Sequence, residues 1–295
     1  MLGLALCSSA AASGTGGRIN FGPAGPRPVL GIGGPLSLQL LQLARTEGVR
    51  VFRSDALWSA AQPRPGQAYD WSAADATANL LAAAGIQWHA IVGGAPAWAG
   101  ARGARGSGVF PDQKHIPQFA KFAVALAKRY HPAYLEVGNE PEGAYMVSGY
   151  PTPSEYEAIF HAVRAAVKRV LPKTKVLMAG MAQQGYADAF YKLAGKQIAD
   201  GVNIHTYICP AKMLQWGFDV SRETGYPIVD SEYSWTADGK TPICKGYSGV
   251  RFYRAAQKWV LRIPRLELAE PFVWTGDNTE LADQIRALGP PSQNG

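Results

Sequence analysis

The sequence predicts an α/β protein: a (β/α)8 TIM barrel in a single domain. Three observations carry that expectation. From Ile19 onward, short β-branched runs alternate with longer segments of helical spacing, the pattern of repeated βα units around a parallel sheet. Eight such units can be counted, the number that closes a ring. The chain has 295 residues, 47% hydrophobic and 17% charged, which suits one large core and excludes global disorder.

The first strand is the weakest, at residues 19–21. A helix follows Pro35, with Leu36, Leu40, Leu43 and Ala44 on one face and Gly48 past its end. Strand two is expected at 49–53, and its helix from Ser72, taken as the N-cap, to Gly85. Strand three spans 86–92. The third helix carries Phe119, Phe122, Leu126 and Tyr130 as a core stripe and leads into strand four at 134–138. Ser154-Glu155-Tyr156-Glu157 after Pro153 reads as the capping box of helix four, whose buried face holds Ile159, Phe160, Val163, Val167 and Val170. Strand five is 175–179, with a poorly marked helix near 188–194. Strand six is 202–205 and its helix 211–223. Strand seven runs from Pro227 to Glu232, with a helix near 250–261. Strand eight is placed at 271–274, and a last amphipathic segment at 281–288 precedes a tail at 291–295. The barrel is thus expected over 18–290, with no room for a second domain. A doubly wound open sheet competes. It calls for a Gly-rich phosphate turn after strand one, and Gly31-Ile32-Gly33-Gly34 lacks that spacing and runs into Pro35.

Residues 1–17 contain an apolar run to Cys7, then Ser, Ala and Gly, with no basic residue before Arg18. They resemble the end of a secretion signal, with a disordered leader as the alternative. A secreted, periplasmic or cell-surface protein is expected. Lipidation at Cys7 is disfavoured because Leu6 stands where a small residue belongs. No apolar run reaches the roughly 18 residues of a membrane-spanning helix. Cys209 and Cys244 each follow a strand and can be read either as a disulfide or as two free thiols; neither has zinc-site spacing. The net charge of +7 suits an anionic polysaccharide or cell-surface retention. Lys and Arg form no basic stripe, so nucleic acid is not an expected partner. The oligomeric state is not readable.

The chemistry lies at two strand ends. Asn139-Glu140-Pro141 closes strand four and Glu232 closes strand seven. Two carboxylates held by one rigid sheet and facing a common mouth are a candidate acid and nucleophile for breaking a glycosidic bond. Glu136 shares the interior face by period-two alternation, so its buried charge needs a partner, Arg53 or Arg50. Sugars present apolar ring faces, which makes Trp58, Trp98, Tyr145, Tyr150, Trp235 and Trp274 candidate platforms, Trp98 and Trp274 foremost. His89 on strand three is either a mouth residue or a packed core histidine.

These residues resemble the clan A retaining glycoside hydrolases, most of all family 39 and related bacterial exopolysaccharide endoglycosidases, across residues 49–274. The segment 58–71 and Pro96-Ala97-Trp98 also read as they do in such barrels. The resemblance implies Glu140 as acid/base, Asn139 as a sugar ligand and Glu232 as nucleophile. It also implies Tyr207 of His205-Thr206-Tyr207 as a contact of that nucleophile, with His205 supporting, Arg53 beside the nucleophile, and Trp274 as the floor of the reactive subsite. Arg53 and Tyr207 are expected to keep Glu232 ionised, and its charge to keep Glu140 protonated. The carboxyl groups are expected about 5 to 5.5 Å apart. No cofactor and no metal are expected; a poly- or oligosaccharide is the expected partner. Gly138 stands where relatives often carry Trp, and Ser234 where glycine is common. The alternatives are a non-catalytic carbohydrate-binding barrel, a transglycosidase, or a metal-dependent hydrolase, the last lacking a His-x-His pair on strand one.

Overall fold

A computed structural model describes residues 18–19, 37–46, 49–100, 108–143, 151–235, 241–247 and 249–271. The parallel strands are β1 (Arg18–Ile19), β2 (Val51–Leu57), β3 (Gln87–Gly93), β4 (Tyr134–Val137), β5 (Lys175–Met178), β6 (Val202–His205), β7 (Ile228–Tyr233) and β8 (Leu266–Pro271). They pair in the orders β2-β3-β4-β5 and β1-β8-β7-β6. A parallel bridge between Met181 and Ile204 joins the two sets beyond the end of β5, with the His205 N–H donating to the Met181 carbonyl at 2.9 Å. The fold is a (β/α)8 barrel.

The helices are α1 (Leu38–Thr46), α2 (Trp58–Ala61), α3 (Ser72–Ala83), α4 (Ile116–Tyr130), α5 (Pro153–Val170), α6 (Gln184–Ala194), α7 (Pro210–Thr224) and α8 (Gly249–Val260). They cover the outer face of the strands because each carries an apolar stripe. On α4 this is Phe119, Phe122 and Leu126, all buried, and on α5 it is Tyr156, Ile159, Phe160, Val163 and Val167. Val170, expected on that face, is exposed. These stripes meet the outward residues of the strands in one large core. Inside the barrel a separate apolar layer is built from Val51, Leu177, Val229 and Leu268. Two residues further along β2 and β8, the same inward face presents Arg53 and Glu270, so polar chemistry begins directly above that apolar plug.

Several expectations need correction. Strand eight begins earlier than 271: β8 runs Leu266–Pro271, and residues 272–274 lie outside the described residues. Leu266-Glu267-Leu268-Ala269-Glu270 has few β-branched residues, yet the ladder to β7 forms, and Glu270 is fully buried. Ser72 is the first residue of α3 rather than its cap; the Asp70 carboxylate accepts the Ser72 N–H at 2.9 Å. The capping box of α5 lies two residues earlier than Ser154. The Thr152 hydroxyl accepts the Glu155 N–H, the Glu155 carboxylate accepts the Thr152 N–H at 2.8 Å, and Pro153 occupies N1, where no N–H is needed. In α1, Leu41 and Ala44 are the buried pair, with Leu40 and Leu43 half-buried. Cys209 and Cys244 form a disulfide, tying the residue that precedes α7 to the loop before α8. The leader, the glycine cluster at 31–34, and the segment at 281–288 lie outside the described residues.

The capping geometry makes a direct comparison possible. Thr152→Ala should cost about 1 kcal/mol of stability in urea unfolding, whereas Ser154→Ala should cost a few tenths at most. Equal losses would contradict the assignment of the cap.

Candidate active site

The site forms at the C-terminal ends of the strands, where β4 stops pairing and turns. Gly138 has φ +77° and Glu140 φ +39°, a conformation that a residue with a Cβ adopts only at a cost. Three contacts hold the turn. The Gly138 N–H donates to the Val92 carbonyl at 2.8 Å, and the Glu140 N–H to the Gly180 carbonyl at 3.1 Å. The buried Tyr156 hydroxyl of α5 donates to the Val137 carbonyl at 2.8 Å and accepts the Ala179 N–H at 2.6 Å, clamping the ends of β4 and β5 together. A Cβ at Gly138 would lie 2.2 Å from the Phe110 ring. That ring fills the space above residue 138 and accounts for glycine there. Glu140 therefore reaches the interior through this turn and not through strand alternation.

Arg53, fully buried on β2, is the centre of the site. Its Nε and Nη2 donate to Glu136 at 2.6 and 2.7 Å, Nη1 to Glu232 at 2.6 Å, and Nη2 also to the Asn139 side-chain oxygen at 2.7 Å. Burial works against the charged guanidinium, but Glu136 and Glu232 outweigh it and hold the pKa well above its ordinary value. Burial likewise disfavours the charged Glu136 carboxylate, and Arg53 overcomes that too, leaving it well below the usual carboxylate range. The partner of Glu136 is thus Arg53; Arg50 is exposed. Behind Glu136 stands His89, also fully buried. Its Nε2 lies 3.0 Å from Glu136 and its Nδ1 3.1 Å from Glu270. Burial opposes its protonation, but Glu270 and Glu136 raise its pKa. His89 is thus a core ion-pair residue beneath the mouth.

Glu232 lies on β7, where the pairing with β6 slips: Ile204 is opposite Asp230 and His205 opposite Glu232. The extra residue, Ser231, lets two successive side chains turn to the same imidazole. His205 Nε2 is 3.1 Å from Ser231 Oγ and 3.7 Å from Glu232, while Nδ1 is 2.6 Å from Glu140. The Tyr207 hydroxyl donates to the other oxygen of Glu232 at 2.5 Å. Burial and the carboxylates of Glu232 and Glu140 push the Tyr207 pKa well up, so its proton stays. Burial lowers the His205 pKa, keeping the ring neutral. Oxygens of Glu140 and Glu232 and a nitrogen of His205 all lie within 4.8 Å of one another. Such a trio has the donor types of a cation site. Both ring nitrogens of His205 are already engaged in hydrogen bonds with Glu140 and Ser231, which suits proton handling better than ligation.

The structure thus brings Arg53, Asn139, Glu140, His205, Tyr207 and Glu232 together. Trp274, Tyr145 and Tyr150 lie outside the described residues. Trp98 lies past the end of β3 rather than on it. That strand stops at Gly93, and Trp98 sits in a short turn (Ala97–Ala99), packed on Trp58 at 4.9 Å and lining a different cavity. Trp58 is wholly buried core, because it opens α2 and faces Phe119 and Phe122.

Four contributors were not legible from the sequence alone. Ser231 acts through the register slip, and Glu270 through its ion pair with His89. Glu142, buried two residues past Glu140, accepts the Ala182 and Gln183 N–H groups and so caps the start of α6. A Cβ on Gly180 would lie 1.9 Å from His205 Nε2, so the imidazole occupies the space a side chain would take. A glycine immediately after a strand-end alanine was the one available signal for that approach.

No protein-family profile matches the chain, and no curated protein does. Solved structures do match. A family 39 glycoside hydrolase from the gut symbiont Bacteroides cellulosilyticus WH2 superimposes with TM-score 0.67 at 17% identity, covering 92% of this chain and 64% of that one. A family 39 β-xylosidase from Caulobacter crescentus gives TM-score 0.66 at 17% identity, covering 90% and 65%. The catalytic domain of a family 30 xylanase C from Talaromyces cellulolyticus gives 0.57 at 14%, covering 89% and 69%. The chain shares the barrel fold of these glycosidase structures. The chain spans somewhat under two thirds of the length of the first two.

Two expectations follow from the packing. The folded-state pKa of Glu136 lies below the unfolded carboxylate value of 4.5, so its ion pair contributes fully above that pH and is lost as pH falls further through the folded-state pKa. Glu136→Gln should therefore cost about 3 to 5 kcal/mol at pH 7, with the deficit shrinking as pH drops below 4.5. A deficit unchanged down to pH 3 in urea titrations would contradict this. Gly180→Ala should cost about 1 to 3 kcal/mol through overpacking and shift the His205 ring resonances in NMR; unperturbed resonances would show that the approach is not close.

Proposed function

We propose that this protein is a retaining glycoside hydrolase that cleaves O-glycosidic bonds of a poly- or oligosaccharide, with Glu232 as nucleophile and Glu140 as general acid and base. The observation that carries the reading is that an oxygen of each of these two carboxylates lies within 4.8 Å of the other beyond the C-terminal ends of the strands. Retaining pairs stand about 5 to 5.5 Å apart, whereas inverting pairs need about 6.5 to 9.5 Å to admit a water.

The surroundings divide the two roles. Glu232 accepts hydrogen bonds from Arg53 and Tyr207, one on each oxygen, which hold the attacking group in a fixed position. Glu140 faces that carboxylate, and the imidazole it contacts, His205, is kept neutral by burial. With its proton on Nδ1, His205 donates to one oxygen of Glu140 and accepts the Ser231 hydroxyl at Nε2. This fixes the carboxyl group and leaves the transferable proton to its second oxygen. Attack by Glu232 on the anomeric carbon expels the leaving oxygen, which takes the Glu140 proton. Glu140 then removes a proton from the incoming water as that water displaces Glu232. Asn139, held by Arg53, is available to bind the sugar beside the scissile bond. The structural likeness to xylosidase and xylanase barrels supports a carbohydrate substrate. The Cys209–Cys244 disulfide supports an exported protein.

A panel of polysaccharides, read by product mass, tests the reading. Wild type should release oligosaccharides from at least one member, and Glu232→Gln should be slower by about 10³-fold or more. Release at equal rates from both proteins would overturn the assignment of the nucleophile.

A further inference from the structure

The loops after β2 and β3 and the start of α4 line an open cavity of about 420 Å³, within the range of about 300 to 1,000 Å³ usual for small-molecule sites. It shares no lining residue with the cluster around Glu140 and Glu232. It opens on the same end of the barrel, since both loops leave the C-terminal ends of their strands.

Its walls are aromatic and fixed. Trp98 stands edge-to-face with Trp58 and, at 5.6 Å, with His115, and its Nε1 donates to the Gln62 carbonyl at 3.1 Å. Tyr69 is set by Trp71 at 5.2 Å and Phe122 at 5.5 Å. Rigid rings of this kind offer apolar faces at little entropic cost. The polar groups, by contrast, are unused. Among the described residues the Tyr69 hydroxyl, the Gln118 amide and the Lys121 amine make no hydrogen bond or ion pair. His115 directs Nδ1 to Asp112 at 2.6 Å and makes none through Nε2. Among the described residues the lining includes Lys121 and His115 and no carboxylate.

We propose that this cavity binds an acidic sugar unit of a polysaccharide. Its ring lies against Trp98 or Tyr69 and its carboxylate pairs with Lys121, so that a chain is gripped at a point beyond the cleavage site. The ligand class rests on the glycosidase reading, whereas the cavity and its charge do not. A neutral sugar uses the aromatic walls but leaves the lysine unanswered, and a small inorganic anion uses the lysine but not the walls.

The test uses the full chain carrying Glu232→Gln, so that no cleavage intervenes, titrated with tetragalacturonate and with xylotetraose and followed by calorimetry. Tetragalacturonate should bind more tightly than xylotetraose and weaken as salt rises. Lys121→Glu should reduce its affinity about fivefold or more and leave xylotetraose binding unchanged. Lys121 is exposed on α4, so this substitution does not threaten the fold. Equal binding of the two sugars, or tetragalacturonate affinity indifferent to Lys121→Glu, would overturn the proposal. Turnover of a small aryl glycoside, measured separately in protein with Glu232 intact, should not respond to Lys121→Glu. Lysine-dependent binding in a protein that turns over no glycoside would keep this site and sink the catalytic reading instead.

Discussion

A single guanidinium organises the interior of this barrel. Arg53 is fully buried and touches groups from two other strands and from the turn after β4: Glu136, Glu232 and Asn139. Guanidinium cannot give up its proton in a protein, so its charge must be met by carboxylates that remain ionised. Its planar fork is what allows one cation to serve three acceptors in fixed directions, which an ammonium group cannot do. The bidentate hold on Glu136 is the anchor, and Nη1, left pointing at Glu232, fixes where the proposed nucleophile sits. His89 and Glu270 extend the alternation of charge to β8, so groups on five strands share one electrostatic constraint.

The turn after β4 answers a different requirement. For the proposed chemistry Glu140 has to turn inward and face Glu232. The chain achieves this by leaving the strand early. Gly138 and Glu140 take positive φ values, Tyr156 braces the strand ends from below, and Glu142 binds the start of α6. Backbone strain of about 1 to 3 kcal/mol at such a position persists only where surrounding contacts hold it in place, and here they come from β3, β5, α5 and α6. The disulfide does similar work on the opposite side of the mouth, since Cys209 lies two residues beyond Tyr207.

How much of this was legible in the sequence depended on whether the signal was local. Strand four and the interior position of Glu136 could be read because alternation and β-branched runs are local patterns, and burial of a charge then demanded a cation on a neighbouring strand. The resemblance to clan A enzymes supplied the remaining partners of Glu232. Ser231 could not be read, because its place depends on a slip in register between two strands. Glu270 was hidden by composition: Leu-Glu-Leu-Ala-Glu suits a helix as well as a strand, and the aromatic run after it looked like the better strand. Trp58 failed for the opposite reason. An exposed platform and a core tryptophan carry the same letter, and only packing against Phe119 and Phe122 separates them.

The central claim is that Glu140 and Glu232 meet at one end of the barrel with distinct roles, and azide rescue reads those roles most directly. With an aryl glycoside whose leaving group needs no acid, Glu140→Ala should be rescued by azide attacking the glycosyl–Glu232 intermediate, giving a glycosyl azide of retained configuration. In Glu232→Ala, azide should take the vacated space and attack the anomeric carbon itself, giving the inverted product. Opposite configurations from the two variants are the predicted result. The same configuration from both, or rescue of neither while wild type hydrolyses the glycoside, would contradict it.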